Sequence, residues 1–345
     1  MSLITLYTQV LKDNNIKYDI VYMDKYGEEE TFECEHIYRY INKINRNSPK
    51  VLKAMKYLLF YPYAVYIINK NKYDFVIVWS EVAIYMFANF LIRKYKNRYC
   101  LNVRDTNGKI KMYPLKWFEK CFFNAAFCTV SSDEYIPMLP KRDYIHIHSL
   151  NEVILKDVVP RTCLRNSTEA LRIGFIGNIR FMDINKKLID VFANDNRFIM
   201  EYFGTNADEI GKYANEKNIN NVVFHGSFPV SQSVEYINQI DIMNNLYGNE
   251  NDNLKTALSI KLYYALWSRI PIIVSPDTYM ERLTTRLEIG YVVNNIDIEM
   301  KESLYDWYMN LDFEKIDTAS STYINKVYSQ NELFKMNLEH FISNN

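Results

Sequence analysis

Leu171-Arg-Ile-Gly-Phe-Ile-Gly177 is a short apolar run ending on glycine, and the residues after it, Asn178-Ile-Arg-Phe-Met-Asp-Ile-Asn-Lys-Lys-Leu188, change to helical spacing. A run this short, without polar alternation, predicts a strand buried on both faces, which is how a parallel strand feeding a crossover helix reads. The unit repeats downstream. Strand-like runs at 198–203 (FIMEYF), 221–225 (NVVFH), 240–246 (IDIMNNL), 271–275 (PIIVS) and 290–293 (GYVV) alternate with helical patterns near 184–193, 206–217, 231–239, 254–268 and 277–287. The alternation predicts a doubly wound α/β domain over 161–325.

The first half repeats the theme less regularly. Strands are expected at 18–23, 73–79, 98–103, 126–131 and 144–148, with helices at 2–14, 48–70, 82–97 and 114–123. This predicts a second α/β domain over 1–160, opening on a helix, so that the strand expected before it is missing. The polar stretch 151–169, with Pro160, reads as a linker. Helical spacing over 323–343 suggests that 326–345 crosses back to the first domain. No internal repeat, low-complexity tract or heptad pattern interrupts this plan.

A chain of 345 residues, nearly half apolar, has ample material for two cores. Its five cysteines are odd in number and scattered, with no C-x-x-C, which reads as buried thiols in a reducing compartment. The N-terminus lacks a basic stretch leading into an apolar one, so no leader is read there. The longest apolar run, Leu58 to Ile68, is too short to span a bilayer and contains Pro62. A soluble, cytoplasmic protein is expected. Net charge is zero but uneven: residues 36–104 hold 13 basic residues and only two acids, Asp74 and Glu81. Such a stretch points to an anionic partner. Its aromatic and basic part, Lys53 to Tyr63, suits a membrane interface, where apolar bodies sink and lysines meet headgroups. The alternative is that Leu58, Leu59 and Phe60 are core. Nucleic acid fits less well, because no recognition motif accompanies the charge.

Two constellations could carry chemistry. In the first, Gly177, Asn178 and Arg180 form a strand-to-helix turn, with Lys186 and Lys187 shortly after. Backbone N–H groups there could approach an anion, and Arg and Lys could hold a diphosphate by fork and by point charge. A plain turn with solvated charges is the alternative. The spacing is not that of a dinucleotide fingerprint. The second runs from Asp252 through Lys255, Thr256, Ser259 and Lys261 into the strand at 271–275. It places cap-competent residues at the head of a long helix, near the carboxyl end of the strand 240–246, where ligands of open α/β sheets gather. On an ideal helix Lys255 and Lys261, six apart, do not share a face, so at most one meets a ligand. A capped amphipathic helix without ligand remains open.

The order of these motifs resembles the donor half of GT-B glycosyltransferases, particularly the retaining enzymes of family 4. The resemblance rests on GNIR with Lys186 and Lys187, on Phe224-His225-Gly226, on Asp241, on Ser259-Ile-Lys261-Leu-Tyr263, and on the P-I-I-V-S strand. It covers about 170–295 well and the first half loosely. It implies a GT-B architecture, two doubly wound Rossmann-like domains facing across a cleft, with the nucleotide-sugar in the second domain and the acceptor against the first. Arg104, Asp105, Arg180 and Lys186 are then the catalytic candidates; Gly177, Asn178, Lys187, Phe224, His225, Lys255, Thr256, Ser259 and Lys261 are the donor-binding ones. One departure matters. Many members carry E-x7-E on this helix, the second glutamate contacting the donor ribose, and Thr256 and Tyr264 stand at those positions here.

Arg104-Asp105 closes the strand 98–103, where relatives place a polar residue facing the cleft; a salt-bridged loop is the alternative. His148 is a weaker candidate, and a structural histidine is favoured. No D-x-D occurs, so neither a metal nor another cofactor is implied, and cations with a helix end would take the metal's part. The resemblance implies retaining transfer to a glycan acceptor, lipid-linked in bacterial surface or capsular polysaccharide assembly, by a protein peripheral on the inner face of the membrane. A non-catalytic GT-B partner subunit and a sugar-nucleotide epimerase are the rival expectations.

Overall fold

The computed structural model describes residues 2–25, 27, 30–44, 49–104, 115–150 and 152–344. The chain divides into two units, Met1–Ile147 with Gln330–Asn345, and His148–Ser329.

In unit 1, α1 (Ser2–Asp13) precedes a parallel pair, β1 (Asp19–Asp24) and β2 (His36–Ile41). The sequence reading missed β2, whose residues HIYRYI are exposed or only half-buried and carry no clear apolar face. Then come α2 (Lys50–Asn71), β3 (Val76–Trp79), α3 (Glu81–Lys94), β4 (Tyr99–Val103), α4 (Leu115–Phe123), β5 (Phe127–Val130) and the short β6 (Ile145–His146). Strands β3-β4-β5-β6 form one parallel sheet in that order. Strands β4 and β5 are wholly buried, as their unbroken apolar runs require. One side packs Leu101, Val103, Phe118 and Phe122; a second cluster joins Tyr7, Cys100, Phe127 and Ile147 to Phe334, Leu338 and Phe341.

Unit 2 starts with α5 (Glu152–Leu155) and continues β7 (Leu171–Ile176), α6 (Met182–Phe192), β8 (Phe198–Phe203), α7 (Ala207–Glu216), β9 (Val222–His225), α8 (Ser233–Gln239) and β10 (Ile242–Asn245). It then adds α9 (Asp252–Thr256), α10 (Ile260–Ser268), β11 (Ile272–Val274), α11 (Tyr279–Arg286), β12 (Gly290–Val292), α12 (Ile298–Met309) and α13 (Phe313–Ser343). The sheet is parallel, in the order β12-β11-β10-β7-β8-β9, with an apolar cluster on each face. The 31-residue α13 starts earlier than the pattern at 323–343 indicated, and from Gln330 onward it belongs to unit 1. Among the described residues, no helix is long and apolar enough to cross a membrane.

The helix expected over 254–268 is two helices. Ser259 adopts an extended backbone and its hydroxyl accepts from the Lys261 N–H, while Asn251 caps the preceding turn in the same way. A side chain that satisfies a new helix's free N–H groups stops propagation of the old one. The six-residue spacing of Lys255 and Lys261 on one ideal helix is therefore corrected.

Two ion-pair networks tie this sheet's surroundings together. Asp241, only 2% exposed, takes Arg161 Nη2 at 3.0 Å, Arg165 Nε at 2.6 Å and the backbone N–H of Arg172 at 2.9 Å. At the start of β8, Asp195 accepts Arg197 Nη2 at 2.7 Å and Lys301 Nζ at 2.9 Å, and Arg197 forks onto Glu302 of α12. The Arg197 guanidinium holds the Asp195 carboxyl well below its ordinary range, Lys301 adds to this, and partial burial opposes it. A depressed carboxyl stabilises the fold above its unfolded value near 4, and that contribution is lost as pH falls through the folded value. Urea midpoints measured from pH 5 to 2 should therefore fall more steeply for the native chain than for Asp195→Asn; equal slopes would remove Asp195 as a source of acid sensitivity.

Candidate functional site

Strands β7, β8 and β9 succeed one another to one side of the sheet, and β10, β11 and β12 to the other. The order reverses between β7 and β10, which pair at Ile242↔Ile173 and Met243↔Gly174. Loops leaving these two strands diverge there and open a crevice at the carboxyl edge, the place where open α/β sheets bind ligands.

The β7 turn is held rigidly. Gly177 has φ +117°, its N–H reaches Phe203 O at 2.8 Å, and Ile179, fully buried, donates to Thr205 O at 3.1 Å. Asn206 Nδ2 adds a bond to Ile179 O at 3.0 Å. With Ile179 anchored inward, Asn178 and Arg180 on either side are exposed, and their backbone N–H groups engage no described residue. The Arg180 side chain likewise pairs with nothing among the described residues. Such a turn offers two amides and a guanidinium to an anion.

Across the crevice, the β10 loop is pinned by Ser275, whose Oγ accepts from Gly248 N at 2.9 Å and from Tyr247 N at 3.3 Å. The pinning sets the Tyr247 ring between Phe175 (5.7 Å) and Phe181 (5.4 Å). Beneath it lies Lys261, 1% exposed. Its ammonium sits 3.8 Å from the Phe175 ring centroid and 4.5 Å from that of Tyr247, and donates to the Tyr247 hydroxyl. It forms no ion pair with any described residue. Burying a cation without a counter-charge is costly, and two π faces and one hydroxyl offset that cost only in part. Nearby demand is also unmet: Asn244 Nδ2 and Asn245 Oδ1 in β10, and Asn185 Oδ1 in α6, are buried without a partner, against the rule that buried polar groups are paired.

The remaining sequence candidates separate. Lys186 turns to α7, where it pairs with Glu209 at 3.4 Å and lies 5.3 Å from the Tyr213 ring. Lys187 instead lines a hollow of about 650 Å³ with Asp183, Glu250 and Asp297, next to the β10 loop. Phe224 lies on β9, two strands from β7, with its ring against Gly211, where an added Cβ would come within 2.3 Å of it. His225 beside it is exposed, lies with its ring tilted 5.6 Å from that of Tyr236, and its carbonyl accepts from the Gly204 N–H. The structure does not bring either to the crevice. Lys255 is exposed on α9, and the Thr256 hydroxyl donates to Asp252 O at 2.6 Å. Ser259 serves as the α10 cap. Arg104 closes β4 in unit 1, where its carbonyl accepts from Ser131 Oγ at 3.1 Å, while Asp105 lies outside the described residues. His148 is buried and bonds Tyr263 OH at 2.8 Å, a structural contact.

Sequence reasoning missed Gly204, Ser275 and Tyr247. Gly204 was within reach: Tyr202-Phe-Gly204 ends β8 as Phe175-Ile-Gly177 ends β7.

No family model matches the chain, and no curated protein matches it by sequence. Solved structures do match. Sucrose-phosphate synthase from Thermosynechococcus elongatus shares 12% identity and a TM-score of 0.64, over 95% of this chain and 90% of that one. A glycosyltransferase from Rickettsia africae shares 12% at TM-score 0.62, over 100% and 95%. WaaG, a glycosyltransferase involved in lipopolysaccharide biosynthesis, shares 10% at 0.60, over 97% and 94%. The likeness covers both units of the chain, and the fold is that of the GT-B glycosyltransferases.

Proposed function

We propose that the chain transfers a sugar from a nucleotide-sugar, bound in the crevice between β7 and β10, to a glycan acceptor. The observation that carries the reading is Lys261, a buried ammonium without a counter-charge among the described residues, together with the amides of Asn178 and Arg180 and the Arg180 guanidinium, which engage no described residue. A diphosphate is the ligand class that answers all of these. As the bond from the anomeric carbon to phosphate breaks, charge grows on the leaving diphosphate. Lys261, Arg180 and the N–H groups of Asn178 and Arg180 stabilise it, with Lys187 as an outer cation. Lys186 enters this role only by leaving Glu209. No step needs a metal or other cofactor, and the leaving phosphate itself can accept the acceptor's proton, which fits retention at the anomeric carbon. A lipid-linked acceptor of surface or capsular polysaccharide assembly, met at the inner face of a membrane, fits the basic stretch 36–104. Arg104 and Asp105 are the acceptor-side candidates.

Calorimetric titration with UDP-, GDP- and ADP-sugars tests this. One member should bind, and Arg180→Ala or Lys261→Met should weaken it about 10- to 100-fold, the worth of one charge-assisted hydrogen bond. Lys261→Met should leave the melting midpoint unchanged or raised, because it removes an uncompensated buried charge. Silence across the panel would sink the transferase reading.

That silence would support a non-catalytic GT-B partner subunit. The specific observation favouring this second reading is that Thr256 spends its hydroxyl on Asp252 and Tyr264 is buried in the core, so neither replaces a ribose-binding glutamate. Binding followed by conversion of the donor without acceptor would instead mark an epimerase.

A further inference from the structure

We propose that α2 docks unit 1 on the surface of an anionic lipid bilayer, its apolar stripe among the acyl chains and its lysines against the headgroups. Val51 (72% exposed), Leu52, Met55, Leu58 (64%), Leu59 (57%) and Tyr66 all lie open to solvent. At 100° per residue these six, with Pro62, fall within an arc of about 120°. The opposite face is core: Ala64 and Ile67 are buried, and Phe60 packs against the apolar cluster of unit 1. The alternative that Leu58 and Leu59 are core is thereby corrected, and it holds for Phe60 alone. Beside α2, β2 adds Ile37 and Ile41, also exposed. A stripe of this extent has no role on a helix that faces only water.

The occupant follows from where the charge lies. Among the described residues, no charged side chain interrupts the stripe. Lys56 borders it, with its ammonium on the Lys43 carbonyl, and Lys70 stands in the last turn. The surrounding 36–104 holds 13 basic residues against Asp74 and Glu81. A second copy would press two basic faces together. A bilayer offers what the face lacks, an apolar layer beneath a plane of anions. From Val51 to Tyr66 the stripe is about 22 Å long, enough to lie in the interface and too short to cross it. The inference deepens the reading of 36–104 as the membrane-facing stretch and does not draw on the sugar chemistry.

Co-sedimentation with vesicles tests it. The chain should bind equimolar phosphatidylcholine–phosphatidylglycerol vesicles and not pure phosphatidylcholine, with binding weakened by added salt. The double variant Leu58→Ser, Leu59→Ser should partition about tenfold less or worse, with its melting midpoint and nucleotide-sugar titration unchanged. Failure to bind either vesicle, or a double variant that binds as tightly as the native chain, overturns the proposal. So does a dimer, or a complex with an acidic protein, that forms through the stripe in place of vesicle binding. Vesicle binding by a chain that takes no nucleotide-sugar would cost the transferase reading and leave this one standing.

Discussion

Asp241→Ala is expected to lower unfolding free energy by about 3 kcal/mol, the low end of the range for breaking a buried pair from one side. The carboxylate is almost wholly enclosed and accepts from Arg161, Arg165 and the Arg172 amide together. Its removal leaves Arg161 without its anion, Arg165 with only the exposed Glu169, and one backbone N–H unpaired. The low end applies because both arginine side chains are part exposed, at 29% and 18%, and can be rehydrated. Asp241→Asn should recover part of the loss, since an amide still accepts. Chemical denaturation of the three proteins at neutral pH measures this; an alanine variant within 0.5 kcal/mol of the native chain, about the scatter of ordinary surface substitutions, would show the network to be inert. Asp241 heads its strand, at the edge opposite the crevice, so donor titration of a still-folded variant should be normal.

Gly204→Ala should cost binding as well as stability. Gly204 has φ +129°, and a Cβ there would stand 2.1 Å from the Gly177 carbonyl oxygen. The conformation and the clash, which is with backbone and not with a yielding side chain, both oppose alanine, so a loss of about 2 kcal/mol or more is expected. The only relief is to push the Gly177 turn away from β8, and that turn presents Asn178 and Arg180. A thermal melt together with donor titration checks both parts. Gly177→Ala is the informative control: a Cβ there meets nothing within 4 Å, so it carries the backbone strain of φ +117° without the clash. Equal behaviour of the two variants would mean that the contact between the turns is unimportant.

The α/β class and the strands of unit 2 could be read from the sequence because each strand is a short, doubly buried apolar run, and that burial leaves a compositional trace. β2 left none, being half exposed; α12 did leave one, Met300, Leu304 and Tyr308 recurring every four residues on its buried face, and the reading passed over it. The break at Ala257–Ser259 was hidden because Ser259 can serve inside a helix or cap one, and only the fold decides. At the site, Gly177, Asn178 and Arg180 were legible as a turn following a strand. Lys261 was named as a ligand candidate, but its burial under Tyr247 was not legible, since its two aromatic partners, Phe175 and Tyr247, come from separate parts of the chain. Lys186 and Lys187 are adjacent in sequence, and a helical rotation of about 100° sends them to different faces of α6.

The cluster around Tyr7 is completed by Phe334, Leu338 and Phe341, residues translated more than three hundred positions after it. During synthesis the apolar face formed by Tyr7, Phe127 and Ile147 emerges early and stays uncovered until the final turns of α13 leave the ribosome. Unit 2 can consolidate sooner, because apart from the leading part of α13 its elements are in hand by Met309. The nascent chain therefore presents a sticky surface at its older end from the emergence of Ile147 until that of Phe334 to Phe341, a window in which a holdase chaperone would have its substrate.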